Sequence, residues 1–149
     1  MGKDKIIEGV IIQDLKQIID DRGRVMHMIR SDNPFFEKFG EVYFSEVLSG
    51  VVKAWKWHKR MTQFLTVPVG KIRLVIFDNR KNSNSKGNLK VLDISRENYQ
   101  LVKIPPKLWY GFKCISAYPA LLANCADLAH DPNEAEIKNP NDSYIPYQW

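Results

Sequence analysis

The chain is poor in cysteine and histidine, with two of the first and three of the second among 149 residues. It also has no hydrophobic run long enough to span a bilayer. Cys114 and Cys125 cannot make a disulfide framework, and a metal site needs more soft ligands than lie near either. The opening Met1-Gly2-Lys3-Asp4-Lys5 lacks the apolar core of a signal peptide. Ile6 stands where a myristoylation signal wants Ser or Thr. No repeat, low-complexity tract or interdomain linker is present. These absences lead us to expect a reduced, cytoplasmic protein that uses no metal, cofactor or membrane.

What remains is ordinary for one domain: 44% hydrophobic and 26% charged residues, in a length that buries one core. The net charge of +5 invites a nucleic-acid reading. The basic residues are scattered, however, and no helix-turn-helix, zinc-finger or RNP pattern accompanies them. The densest basic stretch, Asn79-Arg-Lys-Asn-Ser-Asn-Ser-Lys-Gly87, has the composition of a solvated hairpin loop. We expect no nucleic-acid partner. A modest positive bias serves a small anionic ligand such as a nucleotide diphosphate equally well.

Strand signals dominate the chain. Ile6 to Ile12 and Lys16 to Ile19 read as short strands before an Asp20-Asp-Arg-Gly23 turn, with another strand from Arg24 to Ile29. Further strands are expected at Glu41 to Glu46, Val52 to Trp57, Phe64 to Val69, Lys71 to Asp78, Gly87 to Ile94, Gln100 to Ile104 and Ala120 to Cys125. Asn33 to Phe39, with Pro34 at a first-turn position, reads as a short helix. Asp131 to Trp149 is expected to be irregular or to hold one short helix. Many short strands between Gly, Pro and Asn turns predict an all-β sandwich or barrel.

One strand is unusual. In Gly50-Val-Val-Lys-Ala-Trp-Lys-Trp-His58, strict alternation sends Lys53, Trp55 and Trp57 to one side and Val52, Ala54, Lys56 and His58 to the other. A Lys and a His beside small residues are compatible with a polar cavity inside a barrel. They are equally compatible with an exposed face.

The order Asp21-Arg-Gly23, Val42-Tyr-Phe-Ser45, Gly50-Val-Val-Lys-Ala-Trp55, Gly70 to Asp78-Asn-Arg80, Ile104-Pro-Pro106, Gly111-Phe112 and Asp131-Pro132 resembles the dTDP-4-dehydrorhamnose 3,5-epimerase family. The resemblance runs over nearly the whole chain. It implies a cupin jelly-roll barrel, all-β with short peripheral helices, over residues 1–149. It also implies a homodimer, with the N-terminal strands before Asp20 extending the partner's sheet. The implied ligand is a nucleotide-diphosphate sugar of the 4-keto-6-deoxy class, handled without a metal.

Residue by residue, the resemblance carries over unevenly. The family's proton-abstracting His falls on Lys56, and the Asp that orients it falls on Asp78. The Lys that stabilises the enolate falls near Gln63, a second His falls on Tyr110, and the general-acid Tyr falls close to Ala123. Arg22 matches a residue that contacts the nucleotide, often across the dimer interface. Lys53 and Arg60 are further candidates for the diphosphate.

Proton abstraction beside a carbonyl needs a base matched to the working pH and an electrophile for the enolate. A lysine ammonium paired with Asp78 suits holding charge better than removing a proton. His58 then becomes the candidate base and Tyr110 the candidate acid. Each has a structural alternative: a buried Lys56–Asp78 ion pair, a hydrogen-bonded structural His58, and Tyr110 as wall packing. Trp57 either fills a hydrophobic layer or stacks on a base or sugar. Two functions follow: an epimerase or isomerase with a reorganised site, which the full-length resemblance favours, and a non-catalytic sugar-nucleotide-binding cupin.

Overall fold

The computed structural model describes residues 5–149; the first four residues of the expected N-terminal segment lie outside it. Twelve strands follow one another: β1 (Ile11–Asp14), β2 (Gln17–Asp20), β3 (Gly23–Met26), β4 (Glu41–Val47), β5 (Val52–His58), β6 (Gln63–Val69), β7 (Ile72–Phe77), β8 (Leu89–Ile94), β9 (Gln100–Ile104), β10 (Trp109–Cys114), β11 (Ala120–Ala126) and β12 (Ala135–Ile137). Two five-stranded sheets face each other, ordered β1-β9-β6-β11-β4 and β12-β5-β10-β7-β8, and β2 and β3 form a separate hairpin. Every ladder is antiparallel. This is the cupin jelly roll that the resemblance implies.

Alternation builds the core. Ile72, Leu74 and Ile76 of β7 point between the sheets and meet Leu65, Val67, Val102, Ile104 and Leu122. Each such side chain contributes about 1.5–3 kcal/mol when fully buried. The intervening Val75 and Phe77 point outward, yet they are buried too. The chain's end covers them: Ile145, Tyr147 and Trp149 pack with Trp55 and Trp109 over the second sheet's outer face. Burial on both faces explains why β7 reads as a continuous apolar run. On the outer face of the first sheet, Phe64, Leu101 and Cys125 are covered by Leu15, Met28, Ile29 and Phe36.

Several sequence expectations need correction. The first strand begins at Ile11 rather than Ile6, because a turn intervenes: Val10 N–H donates to Ile7 O, and Gly9 takes a φ of 87°. Asn33 to Phe39 is not helical, and no helix occurs among the described residues. Asn33 instead closes a local turn, its side-chain oxygen accepting from Phe35 N–H and its carbonyl from Phe36 N–H. That turn lays Phe36 against Phe64. β1 pairs with β9 of its own chain, Ile11 opposite Lys103, and forms the outer edge of its sheet. Within the tail expected to be irregular, Ala135–Ile137 pair with β5 as β12.

Candidate functional site

The register of β5 decides the site. Phe112 lies opposite Lys53 and Tyr110 opposite Lys56, so β5 spends three residues where β10 spends two. This bulge breaks the alternation expected from the sequence. Lys53 and Lys56 consequently share the inward face, while Trp55 is expelled to the outer one. Gly111 lets the bulge form: a Cβ there would stand 2.5 Å from Ala54 Cβ and 3.0 Å from Ala54 Cα.

Between the sheets, at the β4 and β5 edges, opens a cavity of about 350 Å³ lined by Lys53, Lys56, Tyr110, Phe112, Tyr43, Ser45, Leu122 and Asn124, among others. Among the described residues, no carboxylate lines it. Lys53 is tethered, its Nζ donating to Ser45 Oγ at 3.0 Å and to Glu46 O at 2.6 Å. Lys56 forms no ion pair among the described residues.

Behind these charges lies a buried polar layer. Asn124 Nδ2 donates to Tyr43 Oη at 2.8 Å, and Gln63 Nε2 approaches the same oxygen at 3.5 Å. Burial pushes the Tyr43 phenol up, and Glu41 adds to this, against the two amide bonds. Tyr110 is raised further, by burial first and then by Tyr43, with its bond to Gln63 offsetting only part. The His58 ring stacks on Tyr110, 19° from parallel with centroids 6.3 Å apart. Neither imidazole nitrogen has a hydrogen-bond partner among the described residues, although both are buried. Burial, then the charge of Lys56, lowers His58 to about 4, with Glu134 opposing. The imidazole is therefore neutral at neutral pH.

The expected Lys56–Asp78 ion pair does not form. Asp78 is wholly buried at the end of β7 and serves its own hairpin loop. It accepts from Arg80 Nε and Nη2 at 3.0 and 2.9 Å and from the Ser83 and Ser85 hydroxyls at 2.6 Å each. Burial alone would raise its carboxyl, but these donors hold it well below the usual carboxylate range. Local donors two to seven residues away outcompete a lysine on another strand.

The remaining candidates are dispersed. Gln63 is inside, in the polar layer. Arg22 sits on the β2–β3 hairpin, its side chain 85% exposed and bonded to Asp20. Arg60 lies on the loop after β5, against Glu134, whose buried carboxylate also accepts from the Arg60 and Met61 amides. Trp57 faces outward, its ring tilted against Trp109 on the far side of the sheet from Lys56. Ala123 is buried and presents no proton donor, while its neighbour Asn124 faces the cavity. Among the described residues, no group of three or more His, Cys, Asp or Glu could hold a metal. Sequence reasoning missed Tyr43 and Asn124, which face each other across the β4–β11 ladder. The alternation of Glu41 to Glu46 contained the signal for Tyr43.

Residues 4–149 match the family described as dTDP-4-dehydrorhamnose 3,5-epimerase. A solved structure of a dTDP sugar isomerase from Desulfovibrio desulfuricans is 46% identical, with a TM-score of 0.94 over 96% of this chain and 92% of that one. A probable low-salt glycan biosynthesis epimerase of Haloferax volcanii is 35% identical over 95% of this chain and 88% of its own length. A dTDP-6-deoxy-D-glucose-3,5-epimerase from Legionella pneumophila, solved with dTDP-4-keto-L-rhamnose, shares the fold. Its identity is 21% and its TM-score 0.86, over 98% of this chain and 81% of that one.

Proposed function

This chain belongs to the dTDP-4-dehydrorhamnose 3,5-epimerase family, and we propose that it epimerises or isomerises a nucleotide-activated 4-keto-6-deoxy sugar for polysaccharide or deoxysugar synthesis. The observation that carries this reading is the cavity itself, where two lysines and two phenols converge and no carboxylate opposes them. Such a site favours anions in a confined, low-dielectric space.

The sugar's keto oxygen sits at Lys56, whose ammonium stabilises the enolate as charge develops. His58, neutral at neutral pH, stacks behind Tyr110 rather than lining the cavity, and in this reading it takes the proton from the carbon beside the carbonyl once Tyr110 turns aside. A phenol returns a proton to that same carbon from the opposite face. Tyr43 suits this role, because Asn124 and Gln63 direct amide donors at its oxygen and would hold the resulting phenolate. Tyr110 completes the wall between His58 and the cavity. Lys53 serves the diphosphate from the same face as Lys56. No cofactor enters this scheme.

The protein acts as a homodimer in this reading, in the cytoplasm, and binds a nucleotide rather than nucleic acid. Supporting the dimer, Ile18, Ile19 and Val25 on the β2–β3 hairpin and Val42 and Phe44 on β4 are exposed. A second copy of the chain would cover them and bring Arg22 to a partner's ligand. Among the described residues, no helix is long and apolar enough to cross a membrane.

The test is deuterium exchange at C3 and C5 of dTDP-4-keto-6-deoxyglucose in D₂O, followed by NMR. Wild type should exchange at least one position, and Lys56→Met, His58→Ala and Tyr43→Phe should each slow it. Binding without exchange in wild type would replace this reading with that of a non-catalytic binding protein. Failure to bind any nucleotide-diphosphate sugar would remove both.

A further inference from the structure

On the opposite face of β5 from Lys56 lies a second, larger cleft of about 860 Å³. Its walls are β5, β10 and β12 on one side and the loop after β7 on the other, with Tyr144 of the tail between them. Nothing in the epimerase reading uses it. We propose that this outer cleft binds an acidic saccharide, a hydroxylated ring carrying a carboxylate or a phosphate.

Charge supplies the first argument. Lys81, Lys107 and Lys138 all line the cleft, and none has an ion-pair partner among the described residues. Arg80 differs, because its guanidinium is committed to Asp78. Lys138 is held in place by aromatic faces, its Nζ 5.2 Å from the Trp109 centroid and 4.6 Å from that of Tyr144. The Asn79 side chain donates to the Tyr144 hydroxyl, fixing that wall. The Lys138 ammonium is thus arranged before any ligand arrives, which lowers the ordering cost of binding.

Lys107 gives the second, independent argument. Its φ is 68°, and among the described residues it is the only non-glycine in the left-handed region. Pro106 precedes it, so the Pro105-Pro106-Lys107-Leu108 turn places at its third position a residue type that glycine would fill with less strain. The backbone is pinned there by Lys107 N–H donating to His58 O at 2.7 Å. Strain of this kind persists where the surroundings over-determine it and is concentrated at ligand sites. Here it aims an ammonium group into the cleft.

The remaining lining fixes the ligand class. Trp57 offers an apolar ring face, suited to the C–H face of a pyranose. Glu136, Asn79 and Asn82 offer acceptors and donors for hydroxyls. A bare phosphate would not need the tryptophan, and three lysines without an ion-pair partner among the described residues outnumber the two lining carboxylates, Glu8 and Glu136, which favours an acidic sugar over a neutral one.

Titration by tryptophan fluorescence and calorimetry, with an oligogalacturonate, glucose 1-phosphate and a neutral cello-oligosaccharide as probes, tests this. At least one acidic probe should bind, with affinity falling as salt rises; which one binds identifies a carboxylate or a phosphate source. Lys138→Ala and Lys107→Gly should each weaken it roughly tenfold, the usual effect of removing one charged contact. Lys107→Gly suits the backbone at φ 68°, so its thermal midpoint should hold while binding falls. The proposal is overturned if neither acidic probe binds, if the neutral probe binds equally well, or if both variants leave affinity unchanged.

Discussion

Lys53 and Lys56 stand three positions apart on one strand yet enter the same cavity, opposite Phe112 and Tyr110 respectively. In a regular strand, residues three apart point to opposite faces. The bulge between them converts one cavity lysine into two. Unlike its tethered neighbour, Lys56 leaves its ammonium for a ligand.

That ammonium also acts on His58, lowering its affinity for a proton after burial has done so. Replacing Lys56 with Met should therefore raise the His58 pKa, because a repelling charge is gone. Proton exchange on the keto-sugar should meanwhile fall by roughly 10²–10³-fold, as when an oxyanion donor is removed. NMR titration of the His58 ring and the exchange assay read the two effects separately. A fall in exchange without a rise in the His58 pKa would mean that Lys56 acts on the substrate alone.

Asp78 offers a contrast between position and role. Asp78→Ala leaves the Arg80 guanidinium and two serine hydroxyls without their acceptor, and should cost about 2–4 kcal/mol in stability. Chemical denaturation measures that loss. Exchange per folded molecule should stay close to wild type, because Asp78 does not touch Lys56. A thousandfold loss of exchange in folded Asp78→Ala would restore Asp78 to the catalytic group.

Much of the fold was legible because it follows from alternation and turn chemistry, which act locally. The β7 run from Ile72 to Phe77, the turn before Gly23 and the order of motifs along the chain all survive in the structure. The site was less legible, for three physical reasons. The bulge in β5 depends on Gly111, a residue on another strand, so alternation within β5 could not reveal that Lys53 turns inward. The partners of Asp78 were in plain view at Arg80, Ser83 and Ser85, but a hairpin loop's internal bonds are set by its closure rather than by spacing. Tyr43 meets Asn124 only through the β4–β11 ladder, which joins residues 81 positions apart.

Gly111→Ala tests the bulge directly. The added methyl would meet Ala54 at 2.5 Å and the Trp149 ring at 3.0 Å. The Ala54 backbone has no room to withdraw between β10 and β12, so the strand must shift. The variant should lose about 1–3 kcal/mol, the usual penalty of overpacking. Ligand affinity should fall as well, because Lys53 and Lys56 lose their shared face. Thermal denaturation with and without dTDP would show whether the two losses travel together.

The last prediction follows from the two buried nitrogens of His58, which have no partner among the described residues. Its pKa is lowered from 6.5 to about 4 in the folded chain, by burial and then by Lys56. Between these values the unfolded chain takes up a proton that the folded chain refuses. Stability must then fall as pH drops from about 6.5 to about 4, and it is fully present above that window. The contribution is on the order of 1–3 kcal/mol, since a buried imidazole must stay neutral. His58→Gln, which keeps a polar side chain without a titrating group, should flatten this part of the stability curve. It should also abolish exchange at neutral pH if the imidazole is the base. Denaturation midpoints at pH 4.5 and 7.5, measured on both proteins, decide the first point. An equal fall in wild type and His58→Gln would show that other groups govern the acid limb.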